Sequence, residues 1–263
     1  MQPQDERVTR FFEKDARSYQ DACRKGVGAR SVPFSRREKA VKEIFTWEDV
    51  RVLDVGSGPG IFTAWLLDRG CEVWTLDIAR EMVQLAQVSV QGHARKDNCF
   101  FVLGSVTELA FPDRFFEVIL CVGVVEYIPQ LELALAELAR CLKPSGHLVI
   151  AGPNRKSLLS AIDRAAAAAV NFFFRPLLVR RRGRGFLEYP YFHRSFAPEE
   201  FARQIEAVGF KLCSRRFTNF RSRILRGPLQ GIADRAGLWL EKSLAGTGLE
   251  TLGTNMIACF ERR

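Results

Sequence analysis

Apolar and polar positions along the first 154 residues switch repeatedly between a two-residue and a three-to-four-residue period. Runs rich in Val, Ile, Leu, Phe and Cys at 50–55, 71–77, 99–103, 115–122 and 147–152 read as five buried strands. Between them, 61–69, 81–91 and 132–142 space apolar residues as one face of a helix does, and Lys143-Pro144-Ser145-Gly146 stops the last of these. Two helices, at 8–19 and 36–45, precede the first strand. Later, Pro198-Glu199-Glu200 opens a helix over 198–208 that Gly209 ends, and 210–217 and 255–260 supply two further strands. This alternation predicts an α/β fold: a seven-stranded, mostly parallel sheet with the last strand antiparallel and helices on both faces. The chain reads as one domain over 1–263, with cap helices at 8–45, a core at 50–154, an insertion at 155–194 and a closing helix and strand pair at 195–263.

The insertion breaks the pattern. On a helical wheel, Ser157, Ser160, Asp163, Arg164, Asn171 and Arg175 share roughly one third of the surface. Leu158, Leu159, Ile162, Ala165 to Ala169, Val170 and Phe172 to Phe174 fill the rest. Pro176 is expected to end the helix, and Arg180, Arg181, Arg182 and Arg184 follow. A broad apolar face beside an arginine cluster has the composition of a helix lying in a membrane interface. A lid helix packed on the domain, with a solvated basic loop behind it, is the other reading.

Charge sharpens this division. The chain of 263 residues carries a net +9, but residues 1–154 are slightly acidic, with 19 basic and 21 acidic side chains. The excess lies in 155–194, with 9 against 2, and in 195–263, with 11 against 7. A hydrophobic content of 47% suits a folded domain with a sizeable core. No uncharged stretch approaches the roughly 20 apolar residues of a membrane span, and the charged N-terminus lacks a secretory pattern. The expectation is a cytosolic protein, peripheral on the inner face of the membrane. Seven scattered cysteines without a Cys-x-x-Cys pair argue against a disulfide framework or a local zinc site.

Candidate chemistry concentrates in Asp54-Val55-Gly56-Ser57-Gly58-Pro59-Gly60, where a buried strand breaks into three alternate glycines and opens a helix. Such a loop turns sharply and leaves amides facing a ligand. Asp77, at the end of the second strand, can accept both hydroxyls of a ribose. A dinucleotide fingerprint would need a small residue at 61, and Ile61 is large.

With this loop, Leu109-Ala110-Phe111-Pro112-Asp113, 115–122 running into Val125-Glu126-Tyr127-Ile128-Pro129, and Leu142-Lys143-Pro144-Ser145-Gly146, the chain resembles the class I, Rossmann-like S-adenosylmethionine-dependent methyltransferases. The resemblance covers about 8–154, 189–217 and 254–260. It implies that Asp54, Gly56, Ser57, Gly58 and Gly60 cradle the methionine part of the cofactor and that Asp77 holds the ribose. Ile78 and Met82 would line the adenine. Ser105 stands where relatives often have an aspartate for the adenine amino group, with Val106 beside it. Val122 and Gly123 would contribute backbone atoms, Arg36 a cation for the cofactor carboxylate, and Tyr19 a contact from the cap.

The layout is nearest to the ubiquinone-biosynthesis O-methyltransferases, which share an Asn-Arg exit from strand five, here Asn154-Arg155, and an amphipathic insertion. Their magnesium ligands, two carboxylates and a histidine, fall here on Gly123, Glu126 and Tyr127, so neither that metal nor that substrate carries over. The resemblance therefore implies methyl transfer to a hydroxyl of another lipophilic acceptor, with His193, Glu126 and Tyr127 the candidate catalytic groups. A soluble natural-product methyltransferase acting on O, C or N is the alternative. A nucleic-acid partner is not expected, because Cys121-Val122-Gly123-Val124 replaces the Asn/Asp-Pro-Pro-Tyr motif of amino-methyltransferases.

Overall fold

A computed structural model describes residues 3–24, 31–182, 192–220, 230–244 and 246–263. Arg184, Tyr189, Pro190 and Tyr191 lie outside the described residues, and of Arg180, Arg181 and Arg182 only the backbone is described.

Seven strands, β1 (Arg51–Val55), β2 (Glu72–Asp77), β3 (Cys99–Leu103), β4 (Phe116–Val122), β5 (Leu142–Pro153), β6 (Phe210–Thr218) and β7 (Asn255–Arg262), form one sheet in the order β3-β2-β1-β4-β5-β7-β6. The pairs from β3 through β5 are parallel, and β7 runs antiparallel between β5 and β6. Strand order reverses between β1 and β4. In parallel sheets that reversal opens a crevice at the carboxyl ends of the two strands, where ligands bind.

Helices α1 (Pro3–Arg24), α2 (Ser31–Ile44), α3 (Thr63–Asp68), α4 (Arg80–Val90), α5 (Leu131–Cys141), α6 (Leu158–Arg182), α7 (Pro198–Ala207) and α8 (Gln230–Leu244) surround it. On one face, Leu131, Leu135 and Leu138 of α5 and Phe201 and Ile205 of α7 pack on Leu53, Ile119, Leu148 and Phe260. On the other, Val41 of α2, Leu66 and Leu67 of α3 and Val90 of α4 cover Val52, Val73, Val118 and Val149. Strands buried on both faces read as continuous apolar runs, which is why 116–122 is almost uniformly hydrophobic.

Three expectations need correction. Strand β5 starts at Leu142, directly after α5, because Leu142 already pairs with Phe116; the irregularity between Phe116 and Val118 absorbs the turn at Ser145, whose φ is 60°. Pro176 does not end α6, which continues to Arg182. Its ring removes one helical hydrogen bond, to the carbonyl of Phe172, and residues 172–176 are all exposed, so that carbonyl is not stranded away from water. Helix α8 was not anticipated.

Helix α6 leaves most of its large apolar side chains outside. Ser157, Asp163 and Ala167 are buried against the body, while Leu158, Ile162, Phe172, Phe173, Phe174 and Val179 point outward. Ser157 fixes this orientation: its hydroxyl donates to the Leu252 carbonyl (2.6 Å) and accepts from the Ser160 amide (3.3 Å), capping the helix. Asn154, just before it, donates to the carbonyls of Thr251 (2.7 Å) and Gly253 (2.8 Å). Among the described residues no helix is long and apolar enough to cross a membrane.

Phe260 of β7 is fully buried between the two antiparallel partners. Phe260→Ala is expected to cost about 3–5 kcal/mol, through lost apolar burial and the cavity left behind. Urea unfolding of the two proteins measures the difference.

Candidate active site

The loop after β1 can approach its neighbours because it carries no side chains at the critical points. Gly56 has φ 63°, and a Cβ there would fall 2.1 Å from the Cγ2 of Val124. The amides of Gly56 and Ser57 both donate to the Leu76 carbonyl, at 2.7 and 3.1 Å, which seats the loop on the end of β2. Asp77 completes the seat: its two oxygens accept from the amides of Gly58 and Ala79, each at 2.9 Å. Burial pushes the Asp77 carboxyl upward against the pull of these amides.

A cavity opens over this loop. Tyr19, Gly56, Gly58, Asp77, Ile78, Met82, Ser105, Val106, Gly123 and Tyr127 all line it, so the structure brings together ten of the residues singled out in the sequence. It continues along Ile78, Ser105 and Gln130 into a wider groove beside the end of β3. Helix α1 forms the roof: Phe12 packs edge-on to Tyr127 (5.4 Å between ring centres) and to Tyr19 (6.1 Å).

The lining does not include Asp54, Ser57, Gly60, Val122, Arg36, Glu126 or His193. Asp54 and Ser57 lie just beneath it, and both are buried with a polar atom, Asp54 Oδ2 and Ser57 Oγ, that has no hydrogen-bond partner. Burial, with Asp77 close by, pushes the Asp54 carboxyl from 3.8 up to about 8. Gly60 packs instead against α4, where a Cβ would meet Ser89 Oγ at 2.6 Å. His193 meets the Tyr127 ring at 5.6 Å, and the Arg194 amide donates to the Glu126 carbonyl (2.9 Å), so the re-entering segment lies across 125–127.

Arg36 is one residue out of register with its expected role. Its guanidinium pairs with Glu241 of α8 (3.8 Å), turned away from the cavity. Arg37 takes the place by the loop: its Nη1 stands 2.8 Å from where a Gly123 Cβ would be, and its guanidinium donates to the Tyr19 hydroxyl. Only the rotation of α2 distinguishes two adjacent arginines. Burial lifts the Tyr19 hydroxyl to about 12, against the pull of Arg37. Glu126, also buried, is lifted to about 7, with Arg37 pulling the other way, and its Oε2 has no hydrogen-bond partner. Sequence reasoning also missed Val8 and Phe12, although Val8, Phe12, Ala16 and Tyr19 recur at helical spacing and only needed to be read as a lining face.

Buried orphan oxygens around a glycine loop, a carboxylate at the end of β2 and a cation beside Gly123 are what a ligand with a ribose, an ammonium and a carboxylate requires. Residues 53–150 match a family model described as a methyltransferase domain. Together with the sheet order, this identifies that part of the chain as a class I S-adenosylmethionine-dependent methyltransferase domain.

Two curated relatives illustrate the likeness. A ubiquinone biosynthesis O-methyltransferase of Alkalilimnicola ehrlichii is 33% identical over 120 residues, covering 44% of this chain and 47% of that protein. A demethylmenaquinone methyltransferase of Tropheryma whipplei is 29% identical over 203 residues, covering 73% and 81%. The chain spans only 26% and 47% of the length of the two relatives it matches first. Among solved structures, the magnesium protoporphyrin IX methyltransferase of Synechocystis PCC 6803 with bound S-adenosylhomocysteine has a TM-score of 0.66 at 14% identity, covering 97% of this chain and 98% of that one. The [4+2]-cyclase SpnF reaches 0.67 at 14%, covering 99% and 97%. A cyclase and a methyltransferase at equal distance show that the shared fold leaves the chemistry open.

Asp54 gives a pH signature of its own. Between about pH 4 and 8 the native carboxyl keeps its proton while the unfolded one has lost it, so its contribution to stability falls as pH rises through that window. Thermal unfolding of the ligand-free protein should decline less steeply across this range for Asp54→Asn than for the wild type. Equal slopes would place the dependence elsewhere.

Proposed function

We propose that this protein transfers a methyl group from S-adenosylmethionine to a hydroxyl of a lipophilic acceptor presented at an anionic membrane surface. The cofactor supplies an electrophilic methyl group. The chain's part is to hold the cofactor through the Gly56–Gly58 loop, Asp77 and Arg37, to exclude water with α1, and to position the acceptor near Tyr127 and Glu126. Glu126 precedes the lining residue Tyr127 and holds a buried Oε2 without a hydrogen-bond partner; with burial lifting its carboxyl to about 7, it is the general base in this reading. Tyr127, wedged between Phe12 and His193, forms the wall between the two sites. His193 then orients Tyr127.

The observation that carries the membrane part is the set of apolar side chains α6 leaves exposed. A lid would bury its apolar face on the domain; here Ser157 and Asp163 are buried, Leu158 and Ile162 are exposed, and Phe172, Phe173 and Phe174 are 83%, 71% and 55% exposed. Moving such side chains out of water is worth about 1.5–3 kcal/mol each. The basic residues that follow, Arg175 and the arginines from 180 on, suit an anionic lipid surface. The quinone-pathway names of the relatives agree with an acceptor drawn from a membrane.

Two measurements test the parts separately. With a hydroxylated acceptor, the methyl-transfer rate should rise with pH through about 7 as Glu126 ionises; in Glu126→Gln that limb should vanish and kcat should fall about 100-fold or more. The wild type should pellet with phosphatidylglycerol-containing vesicles. A Phe172→Asp, Phe173→Asp double variant should stay in the supernatant while keeping its thermal midpoint and its cofactor binding. A wild type that ignores vesicles would leave the soluble reading.

A further inference from the structure

At the opposite end of the sheet from the glycine loop, three strands bring together a histidine, a cysteine and a glutamate. His147 lies near the start of β5 and is the direct partner of Glu261 across the β5–β7 pair. Cys213 lies on β6, at the slip in register between Leu212 and Ser214. One ligand atom from each side chain lies within 4.8 Å of the other two. The triad is open to solvent: Cys213 is exposed, and His147 and Glu261 are half-buried.

The bulge decides the arrangement. Leu212 packs with the α5 and α7 side of the core, whereas Arg216 reaches Glu43 of α2 (2.9 Å) on the other side. Alternation from Leu212 and alternation from Arg216 assign both Cys213 and Ser214 to the α2 side, which two consecutive residues can share only at a bulge. His147 and Glu261 belong to that side too, each two residues from a core member there, Val149 and Cys259. The imidazole packs on the Phe45 ring at 4.8 Å, and the thiol makes a long hydrogen bond to the Lys211 carbonyl at 3.7 Å.

We propose that His147, Cys213 and Glu261 bind a divalent transition metal, with Zn²⁺ the best match, leaving a fourth position to solvent. A nitrogen, a sulfur and a carboxylate oxygen are zinc's donor types, and the thiolate selects against Mg²⁺ and Ca²⁺. Tetrahedral zinc with bonds of about 2.0–2.3 Å holds its donors about 3.3–3.8 Å apart, so the three atoms need close by only about 1 Å. Turning the exposed thiol supplies that movement. The metal would clamp β6 and β7 to β5, far from methyl transfer, and stabilise the native state by mass action. Spacing of cysteines along the chain cannot reveal such a site, because its ligands lie 66 and 48 residues apart.

The test uses the full chain, stripped with chelator and titrated with Zn²⁺ and, as a spectroscopic probe, Co²⁺. Zn²⁺ should raise the thermal midpoint by several degrees while Mg²⁺ leaves it unchanged. Co²⁺ should give a sulfur-to-cobalt charge-transfer band at one equivalent. Cys213→Ser should abolish the band, and His147→Gln and Glu261→Gln should each weaken binding at least tenfold. Metal-free midpoints equal to wild type show that the variants are folded, which the exposure of these side chains leads one to expect. A cobalt spectrum without the sulfur band, or a zinc shift that survives in all three variants, would overturn the proposal.

Discussion

The close seating of the chain between Gly56 and Asp77 is the constraint on which the rest depends. Val124 occupies the space that any side chain at 56 would need, and the Leu76 carbonyl accepts two amides from the loop. β1, β2 and the exit of β4 are thereby drawn to one point, at the position where strand order reverses. The cavity, the buried Asp54 carboxyl and the place of Arg37 all follow from that convergence. Leaving Asp54 protonated and Ser57 without a partner costs stability in the ligand-free protein, a cost that a cationic, polar ligand is suited to offset.

The second organising feature is the exit from β5. Asn154 and Ser157 bond to carbonyls at 251–253, and this anchors the first turn of α6 with its polar stripe inward. Helical periodicity carries that rotation as far as Asp163 and Ala167, which are buried, while residues 172–176, which span the whole circumference of the helix, are all exposed. An amphipathic helix in a globular protein normally buries its apolar face. Three short hydrogen bonds near its start thus set the rotation of its first turns.

Much of the fold was legible because parallel strands covered on both faces must be apolar throughout and because glycine and proline punctuate them. The seven strands and seven of the eight helices were legible in the residue pattern, α8 being the one missed. Where it failed, a local rule met a tertiary fact. Pro176 stops a helix only where the lost hydrogen bond cannot be made up, and residues 172–176 lie open to water. Lys143-Pro144-Ser145-Gly146 reads as a break, yet pairing of Leu142 with Phe116 draws it into the strand.

The sequence by itself determined the alternation of elements, the glycine loop with its distant aspartate, and the placing of positive charge behind the core. These are local properties, set by which backbone angles and periodicities a stretch of residues supports. Only the tertiary structure decided that Arg37 and not Arg36 stands beside Gly123 and Tyr19, that α6 leaves Leu158, Ile162 and Phe172 to Phe174 exposed, and that His147, Cys213 and Glu261 meet. Each of those depends on the rotation of a helix or the register of a strand, which a shift of one residue reverses and which only contacts between distant segments fix.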